Sequence, residues 1–222
     1  MVRIHKEGKK FLTVLLIVLI IINASVFFFN QSLLVFTSLV SFFTFLFFLQ
    51  FFRHPKIKKT LDETKVVSPA NGKVVFVGVA EETEYFKEKK LQISIFMSPF
   101  DVHINRIPIS GKISWLKYVP GTFLNASLDK SSEDNERMII KIEYSKNKYV
   151  YVVQIAGLIA RRIKCDLSEN QSVTIGDRFG LIRFGSRVDL YFPYDCDPLV
   201  SEGQTSISGE TILADFKLIK SK

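Results

Sequence analysis

Two long apolar runs open the chain and constrain its fold more than any other feature of the sequence. Residues 11–29 and 33–52 consist almost entirely of Leu, Ile, Val and Phe, and three residues separate them. Each run has about the length that a helix needs to cross a bilayer, roughly 20 residues. Basic residues precede the first run and follow the second, and none lies between them. The pattern predicts a helical hairpin with both ends, and everything after residue 52, on the cytoplasmic side.

A hairpin lying in one leaflet is the alternative, because the turn is short and Asn23 lies near the middle of the first run. A cleaved signal peptide fits less well, since a second apolar run follows the first without a clean small-residue cleavage site. The basic stretch 53–59 would attract anionic lipid headgroups. We therefore assign residues 1–59 to a membrane anchor and residues 60–222 to a separate domain.

The charge distribution argues against nucleic acid as a partner. The net charge is +8, but residues 1–59 hold eight of the 30 basic side chains and only one of the 22 acids. The remaining residues are therefore almost neutral, and a membrane surface is the better partner for the basic region. The two cysteines, Cys165 and Cys196, form neither a disulfide framework nor a metal-binding motif, so no metal is expected.

After residue 65 the sequence becomes typical of β-structure. Short strand-like runs occur at 73–79, 91–97, 138–142 and 149–155, and polar or Gly/Pro residues separate them. The charged stretch 81–90 predicts a solvated loop, and no amphipathic helix is evident beyond the anchor. A Pro-x-x-Gly turn followed by a strand occurs at 69–74 and again at 108–113, with a third variation at 203–211. These units predict a mainly β domain, a compact sandwich or barrel.

A Gly-Ser pair interrupts the apolar pattern of residues 181–192. The flanking residues predict a strand, and Gly185-Ser186 supplies small residues where a strand prefers branched bulk. A glycine at such a point lets another group approach the backbone closely. Taken alone, the pattern favours one strand with a β-bulge and an ordinary serine.

Several further motifs bring polar residues into apolar surroundings. His103 is the only histidine after residue 54, and Asp101 precedes it by two positions, so a strand would place both on the same face as Asn105. A neutral imidazole is suited to moving protons near pH 7. Arg161 and Arg162 lie among small apolar residues, which indicates either an anionic ligand such as a phospholipid headgroup or an internal salt bridge. Both interpretations stay open.

These motifs, read in order, resemble those of the pyruvoyl-dependent phosphatidylserine decarboxylases in their short, membrane-associated form. The resemblance extends from about residue 66 to 211 and is carried by the stretches 68–73, 97–108, 133–137, 155–163 and 176–186. It implies a β fold related to lipoyl-type barrels and self-cleavage between Gly185 and Ser186. It also implies a pyruvoyl group made from Ser186, with His103 as a catalytic residue.

The resemblance further implies two chains, 1–185 and 186–222, which stay together as a heterodimer. The substrate would be phosphatidylserine in the membrane, converted to phosphatidylethanolamine on the cytoplasmic side of the inner membrane. The pyruvoyl group would serve as the electron sink for decarboxylation. Neither tail specificity nor any higher oligomeric state follows from the sequence.

The sequence departs from the family pattern at one supporting position. Asn71 stands where the family usually has Asp, and an amide cannot carry the charge that stabilises a protonated base. Asn71 and Asp101 are the residues expected to support maturation. Arg106 occupies the place of a second histidine in longer relatives and is a candidate to bind a phosphate or carboxylate. Two alternatives follow: decarboxylation of another serine phospholipid such as archaetidylserine, or an uncleaved, inactive membrane-tethered β module.

Overall fold

The computed structural model describes residues 3–4, 6–58, 62–82, 88–126, 134–158, 163–182 and 185–218. The chain divides into two compact units, residues 1–56 and residues 57–222. The predicted fold class is confirmed, since two apolar helices precede a mainly β unit.

The first unit is a helical hairpin with a short strand at each end. Its helices are α1 (Lys6–Phe29) and α2 (Leu34–Phe51), and β1 (Arg3–Ile4) pairs with β2 (Arg53–His54). Both helices are long and apolar enough, by length and composition, to cross a membrane. Helix α1 begins five residues before the predicted apolar run, because residues 6–10 contain three lysines and a glutamate, which are good helix formers.

Asn23 links the two helices. Its Nδ2 donates to Ser41 Oγ at 2.8 Å and to the Leu19 carbonyl at 2.8 Å. Its Oδ1 accepts from Ser38 Oγ at 3.0 Å and from Thr37 Oγ1 at 3.3 Å. Such interhelical hydrogen bonds are how polar residues are accommodated between apolar helices. The polar residue in the first run therefore has partners inside the hairpin.

The second unit is built on an antiparallel sheet of eight strands, curled into a half-barrel. The strand order is β11-β7-β8-β9-β13-β5-β4-β14. The described strands that form it are β4 (Gly72–Glu82), β5 (Glu88–Met97), β7 (Gly111–Val119), β8 (Arg137–Ser145), β9 (Lys148–Ile155), β11 (Ser172–Val173), β13 (Ser186–Pro193) and β14 (Thr205–Ser206).

Two small sheets complete the unit. One has the order β10-β12-β6 and the other pairs β15 with β3. Their apolar residues pack with one face of the large sheet into a single buried cluster, which includes Ile107, Phe179 and Leu213. The strands are β3 (Lys65–Val67), β6 (Ile104–Arg106), β10 (Ile163–Cys165), β12 (Arg178–Ile182) and β15 (Ile212–Asp215).

The four strand-like runs are confirmed as β4, β5, β8 and β9, but the predicted loop at 81–90 is wrong at both ends. Strand β4 continues to Glu82 and β5 begins at Glu88, with Glu81 in register with Lys89. Charged residues are compatible with a strand wherever its outer part faces water, because the backbone hydrogen bonds are still made. The predicted turn-strand repeat is confirmed, since Gly72 begins β4 and Gly111 begins β7.

The predicted single strand over 181–192 is also wrong. Residues 178–182 form β12 of a small sheet, whereas residues 186–193 form β13 in the large sheet. Gly185 lies just before β13 with φ at +60°, in the left-handed region that favours glycine. The Gly-Ser pair therefore marks the start of a strand in a different sheet.

Candidate active site

Ser186 is the first residue of β13 and is completely buried. It lies in register with Met97 at the end of β5. The Ser186 Oγ makes no hydrogen bond to any residue that the structure describes. A buried hydroxyl without a partner is costly in a folded protein, and such atoms often mark a reactive or ligand-binding position. The peptide bond to Gly185 therefore precedes a serine whose oxygen is uncommitted.

A buried polar chain lies on the same side of the sheet as Ser186. Gln154 of β9 donates from Nε2 to Asn105 Oδ1 at 2.8 Å, and both side chains are fully buried. Asn105 in turn donates from Nδ2 to the Met97 sulfur at 3.7 Å. Because Met97 and Ser186 are register partners, this chain connects β6 to the start of β13. The signal for Gln154 in the sequence is a lone amide in an otherwise apolar and aromatic strand.

His103 directly precedes β6 and is 2% exposed. Its Nδ1 lies 2.9 Å from the Asp101 carbonyl oxygen. A carbonyl only accepts hydrogen bonds, so this contact places a proton on Nδ1 and, in the neutral ring, a lone pair on Nε2. The arrangement is suited to a residue that accepts and returns a proton.

The Asp101 carboxylate is directed at its own turn rather than at the imidazole. Its Oδ2 accepts from both the backbone N and the Oγ of Ser98, each at 2.8 Å. Strand β6 begins only at Ile104, so the predicted common face of Asp101 and His103 does not form. In the structure, Asp101 orients His103 through its backbone carbonyl.

Asn71 contacts the segment that carries His103. Its Nδ2 donates to the Val102 carbonyl at 3.3 Å, and its Oδ1 accepts from the Ser208 backbone N at 3.4 Å. An aspartate in the same orientation could accept from Ser208 but could not donate to Val102. The amide at this position thus bridges two loops next to His103.

Arg106 is buried and lies in register with Arg178 of β12. It donates from a terminal nitrogen to the Gly176 carbonyl at 3.0 Å. Burial lowers the pKa of Arg106, as does the neighbouring Arg178, while Asp177 and Glu210 oppose the shift. Two neighbouring guanidinium groups favour an anion nearby. Arg161 and Arg162, the other predicted headgroup residues, lie outside the described residues.

The other face of β13 carries a polar network that the sequence analysis missed. Arg187 Nε donates to Asp189 Oδ1 at 2.6 Å, and both side chains are buried. Ser94 Oγ accepts from Arg187 at 2.9 Å, and Gln92 Nε2 donates to Asp189 Oδ2 at 3.2 Å. Burial raises the pKa of Asp189, and the adjacent guanidinium opposes that shift. The available signal was Arg187-Val188-Asp189, opposite charges two residues apart in an apolar strand.

Asn135 organises the chain beside the start of β13. It lies in the polar stretch 133–137, and its side chain is completely buried. Its Nδ2 donates to the carbonyls of Ala156, at 2.7 Å, and Leu124, at 2.8 Å. The Ala156 backbone N donates to the Glu136 carbonyl at 2.9 Å. Both backbone groups of Ala156 are therefore fixed by this motif.

The site fits a prosthetic group made from the chain itself. A fully buried serine with an uncommitted oxygen follows a left-handed glycine, whose own Cβ position is open. A single serine hydroxyl next to a backbone carbonyl is suited to an acyl transfer within the backbone more than to the coordination of an ion. Among the described residues, no group of three or more His, Cys, Asp and Glu side chains is placed to hold a metal.

Comparison with known proteins identifies the family. The family model for phosphatidylserine decarboxylase matches residues 44–214. Phosphatidylserine decarboxylase proenzymes from Cytophaga hutchinsonii and Azorhizobium caulinodans are 45% and 46% identical over 216 and 222 residues. Those alignments cover 96% and 97% of this chain and 98% and 90% of the relatives. The proenzyme from Paramagnetospirillum magneticum is 52% identical over 169 residues, 75% of this chain and 70% of its own. The chain belongs to the phosphatidylserine decarboxylase family.

Proposed function

We propose that this chain decarboxylates phosphatidylserine to phosphatidylethanolamine and CO2, using a pyruvoyl group formed by self-cleavage between Gly185 and Ser186. The observation that carries the proposal is the buried, uncommitted Ser186 Oγ immediately after a left-handed glycine. Family membership supplies the substrate class, and the relatives' name of proenzyme supports a maturation step.

Self-cleavage would begin at the Ser186 hydroxyl. The Oγ attacks the Gly185 carbonyl carbon, its proton passes to a base, and the carbonyl electron pair moves to oxygen. Collapse of this tetrahedral centre breaks the C–N bond between Gly185 and Ser186, and the Ser186 nitrogen takes up a proton. The product is an ester between the Gly185 carbonyl carbon and Ser186 Oγ. Loss of the Ser186 Cα proton and of the Cβ–Oγ bond releases the Gly185 carboxylate. The remaining dehydroalanine reacts with water to give the pyruvoyl group and ammonia.

The products would be chains 1–185 and 186–222. Strand β13 of the second chain lies between β5 and β9 of the first, so hydrogen bonds on both edges would keep the two chains together. The proposed heterodimer therefore needs no contact beyond those already in the sheet.

In the decarboxylation, the pyruvoyl group supplies an electron sink for the bond that loses CO2. We assign to His103 the delivery of the proton that replaces the carboxyl group at the substrate Cα. Its Nδ1 contact with the Asp101 carbonyl fixes the ring and its tautomer for that role. Arg106, beside Arg178, is the candidate for the headgroup phosphate or carboxylate, and Arg161 and Arg162 remain candidates from the sequence.

The hairpin would hold the enzyme at the membrane that contains its substrate. Two helices of membrane-spanning length support this anchoring, and the basic residues at both ends of the hairpin favour a cytoplasmic catalytic domain. The proposed domain boundary at residue 59 follows the basic stretch.

An intact mass of the purified full chain tests the proposal. We expect two chains, one ending at Gly185 and one beginning at residue 186 with a pyruvoyl group in place of serine. Ser186→Ala should remain a single chain and should form no phosphatidylethanolamine from phosphatidylserine vesicles. Ser114→Ala, on an exposed part of β7, is the matched control and should behave like the wild type. A wild-type chain that stays intact for days would overturn the proposal in favour of an uncleaved module.

A further inference from the structure

Gly157 lies directly against the carbonyl group of Gly185. It follows β9, and continuing the antiparallel register from the Ile155–Arg187 pair places Gly157 opposite Gly185. A Cβ built on Gly157 would overlap the Gly185 carbonyl oxygen. The carbonyl therefore occupies the space that any side chain at position 157 would take.

The surroundings leave an added side chain at position 157 no room to move aside. The same Cβ would lie 3.2 Å from the Cβ of Ala126, which is fully buried. The preceding residue, Ala156, is fixed by two hydrogen bonds. Its carbonyl accepts from Asn135 Nδ2, and its backbone N donates to the Glu136 carbonyl. Gly157 is therefore held in place by its neighbour and is confined by the carbonyl it touches.

Gly157 is buried, and its backbone N–H donates to no backbone carbonyl among the described residues. Buried backbone donors are almost always paired, so one without a partner beside a carbonyl calls for an explanation. The carbonyl in contact is the one that Ser186 Oγ would attack. An amide donor close to an oxygen that gains charge can stabilise the tetrahedral stage of acyl transfer.

We propose that Gly157 is a positioning and oxyanion-stabilising residue for self-cleavage. Its missing side chain lets the Gly185 carbonyl lie against the Gly157 Cα, in reach of Ser186 Oγ. Its N–H donates to the carbonyl oxygen as the electron pair moves onto that oxygen. This inference rests on the proposed self-cleavage. It adds Gly157, which follows β9, to the residues that surround the Gly185 carbonyl.

Two glycines thus serve the same carbonyl for different reasons. At Gly185 the Cβ position is open, and the left-handed φ of +60° is what requires glycine. At Gly157 the φ is not in that region, and the lack of space is what requires glycine. In the sequence, Gly157 is distinguished only as part of the arginine-containing stretch 155–163.

The first test is the rate of self-cleavage of the full-length Gly157→Ala chain, followed by intact mass after synthesis into nanodiscs. Misplacing reacting atoms or removing one oxyanion donor costs about 100-fold or more in rate, so we expect at least that slowing. Gly78→Ala is the matched control, because the atoms nearest to its added methyl all belong to the Phe76 side chain in β4. The control should cleave at the wild-type rate.

Hydroxylamine shows which step is blocked, because it cuts an ester between Gly185 and Ser186 but leaves a Gly185–Ser186 peptide bond intact. Gly157→Ala should yield no hydroxylamine-induced cleavage at residue 185, since the attack itself is slowed. Cleavage of the variant at the wild-type rate, or its ready cleavage by hydroxylamine, would overturn the proposal. A wild-type chain that does not cleave would instead refute the underlying function.

A second variant covers the case in which Gly157→Ala does not fold. Cell-free synthesis can replace Gly157 by glycolate, which turns the N–H into an ester oxygen without adding any atom to the space beside Gly185. We expect self-cleavage to slow by about 100-fold through loss of the donor. Wild-type cleavage by the glycolate chain would overturn the oxyanion assignment.

Discussion

The two faces of β13 differ in whether their buried polar atoms are hydrogen-bonded. On the face shared with the main core, Ser186 has an Oγ without a hydrogen-bond partner among the described residues. On the opposite face, Arg187 and Asp189 form a buried ion pair whose remaining polar atoms reach Ser94 and Gln92. The uncommitted hydroxyl and the ion pair belong to adjacent residues, Ser186 and Arg187.

The difference suggests separate roles for the two faces: one carries the proposed reaction, and the other keeps the strand in the sheet. Under the proposed self-cleavage, Ser186 attacks its own backbone, which requires that its oxygen is not held elsewhere. The strand whose first peptide bond would then break needs other contacts to keep it in register. Burying an ion pair is costly unless it is fully hydrogen-bonded, and on this face it is. Changes on the reactive side should therefore alter rates, and changes on the other should alter stability.

The largest effect should come from His103. We expect His103→Ala to lower phosphatidylethanolamine formation by about 100- to 10,000-fold, the usual contribution of a positioned proton donor. Self-cleavage should still yield two chains, because the proposed role lies in the later step. His103→Gln, which preserves much of the volume, controls for the cavity that alanine leaves. Normal turnover in the alanine variant would refute the role.

The next effect concerns the attachment face. Asp189→Asn leaves the buried Arg187 guanidinium without its carboxylate, and we expect a loss of about 3–5 kcal/mol in the free energy of unfolding. Denaturant unfolding in detergent micelles measures this loss. The exposed Asp166→Asn, which removes a surface ion pair with Lys164, is the control and should change stability by less than about 1 kcal/mol.

The double variant Arg187→Met, Asp189→Leu distinguishes the ion pair from mere packing. Replacing both charges by apolar groups removes the unpaired guanidinium, so most of the stability lost in Asp189→Asn should return. If the double variant is less stable than Asp189→Asn, the hydrogen-bond network matters for more than charge compensation. Persistent self-cleavage in the double variant would support the division between the two faces.

The smallest effect should come from Asn71, which lies beside the His103 segment. A carboxylate here favours a protonated base nearby but loses the donor to the Val102 carbonyl, a bond of about 1 kcal/mol. We expect Asn71→Asp to speed self-cleavage modestly, as shown by the fraction of two-chain protein over time after synthesis. Asn71→Ala lacks both the charge and the donor and should be slower than the wild type. An unchanged rate in Asn71→Asp would mean that the charge is dispensable.

The sequence alone determined the hairpin, the β class and the family. Apolar runs of membrane-spanning length and alternating β-prone runs are local patterns, and local patterns survive without knowledge of the fold. The motif around Gly185 and Ser186 could also be recognised from the sequence, because its residues are contiguous in the chain. The charged strand ends at 81–82 and 88–90 were missed because backbone pairing with the neighbouring strand, rather than composition, makes them part of the sheet.

Only the tertiary structure decided what surrounds the Gly185 carbonyl. Residues 178–182 and 186–193 look like one strand, and their division between two sheets depends on partners far away in the chain. Gly157 meets Gly185, and Gln154 meets Asn105, through pairings that no local pattern encodes. Burial and register are properties of the assembled sheet. The sequence could therefore propose Ser186 as the reacting serine, but the close approach of Gly157 appears only once β9 lies beside β13.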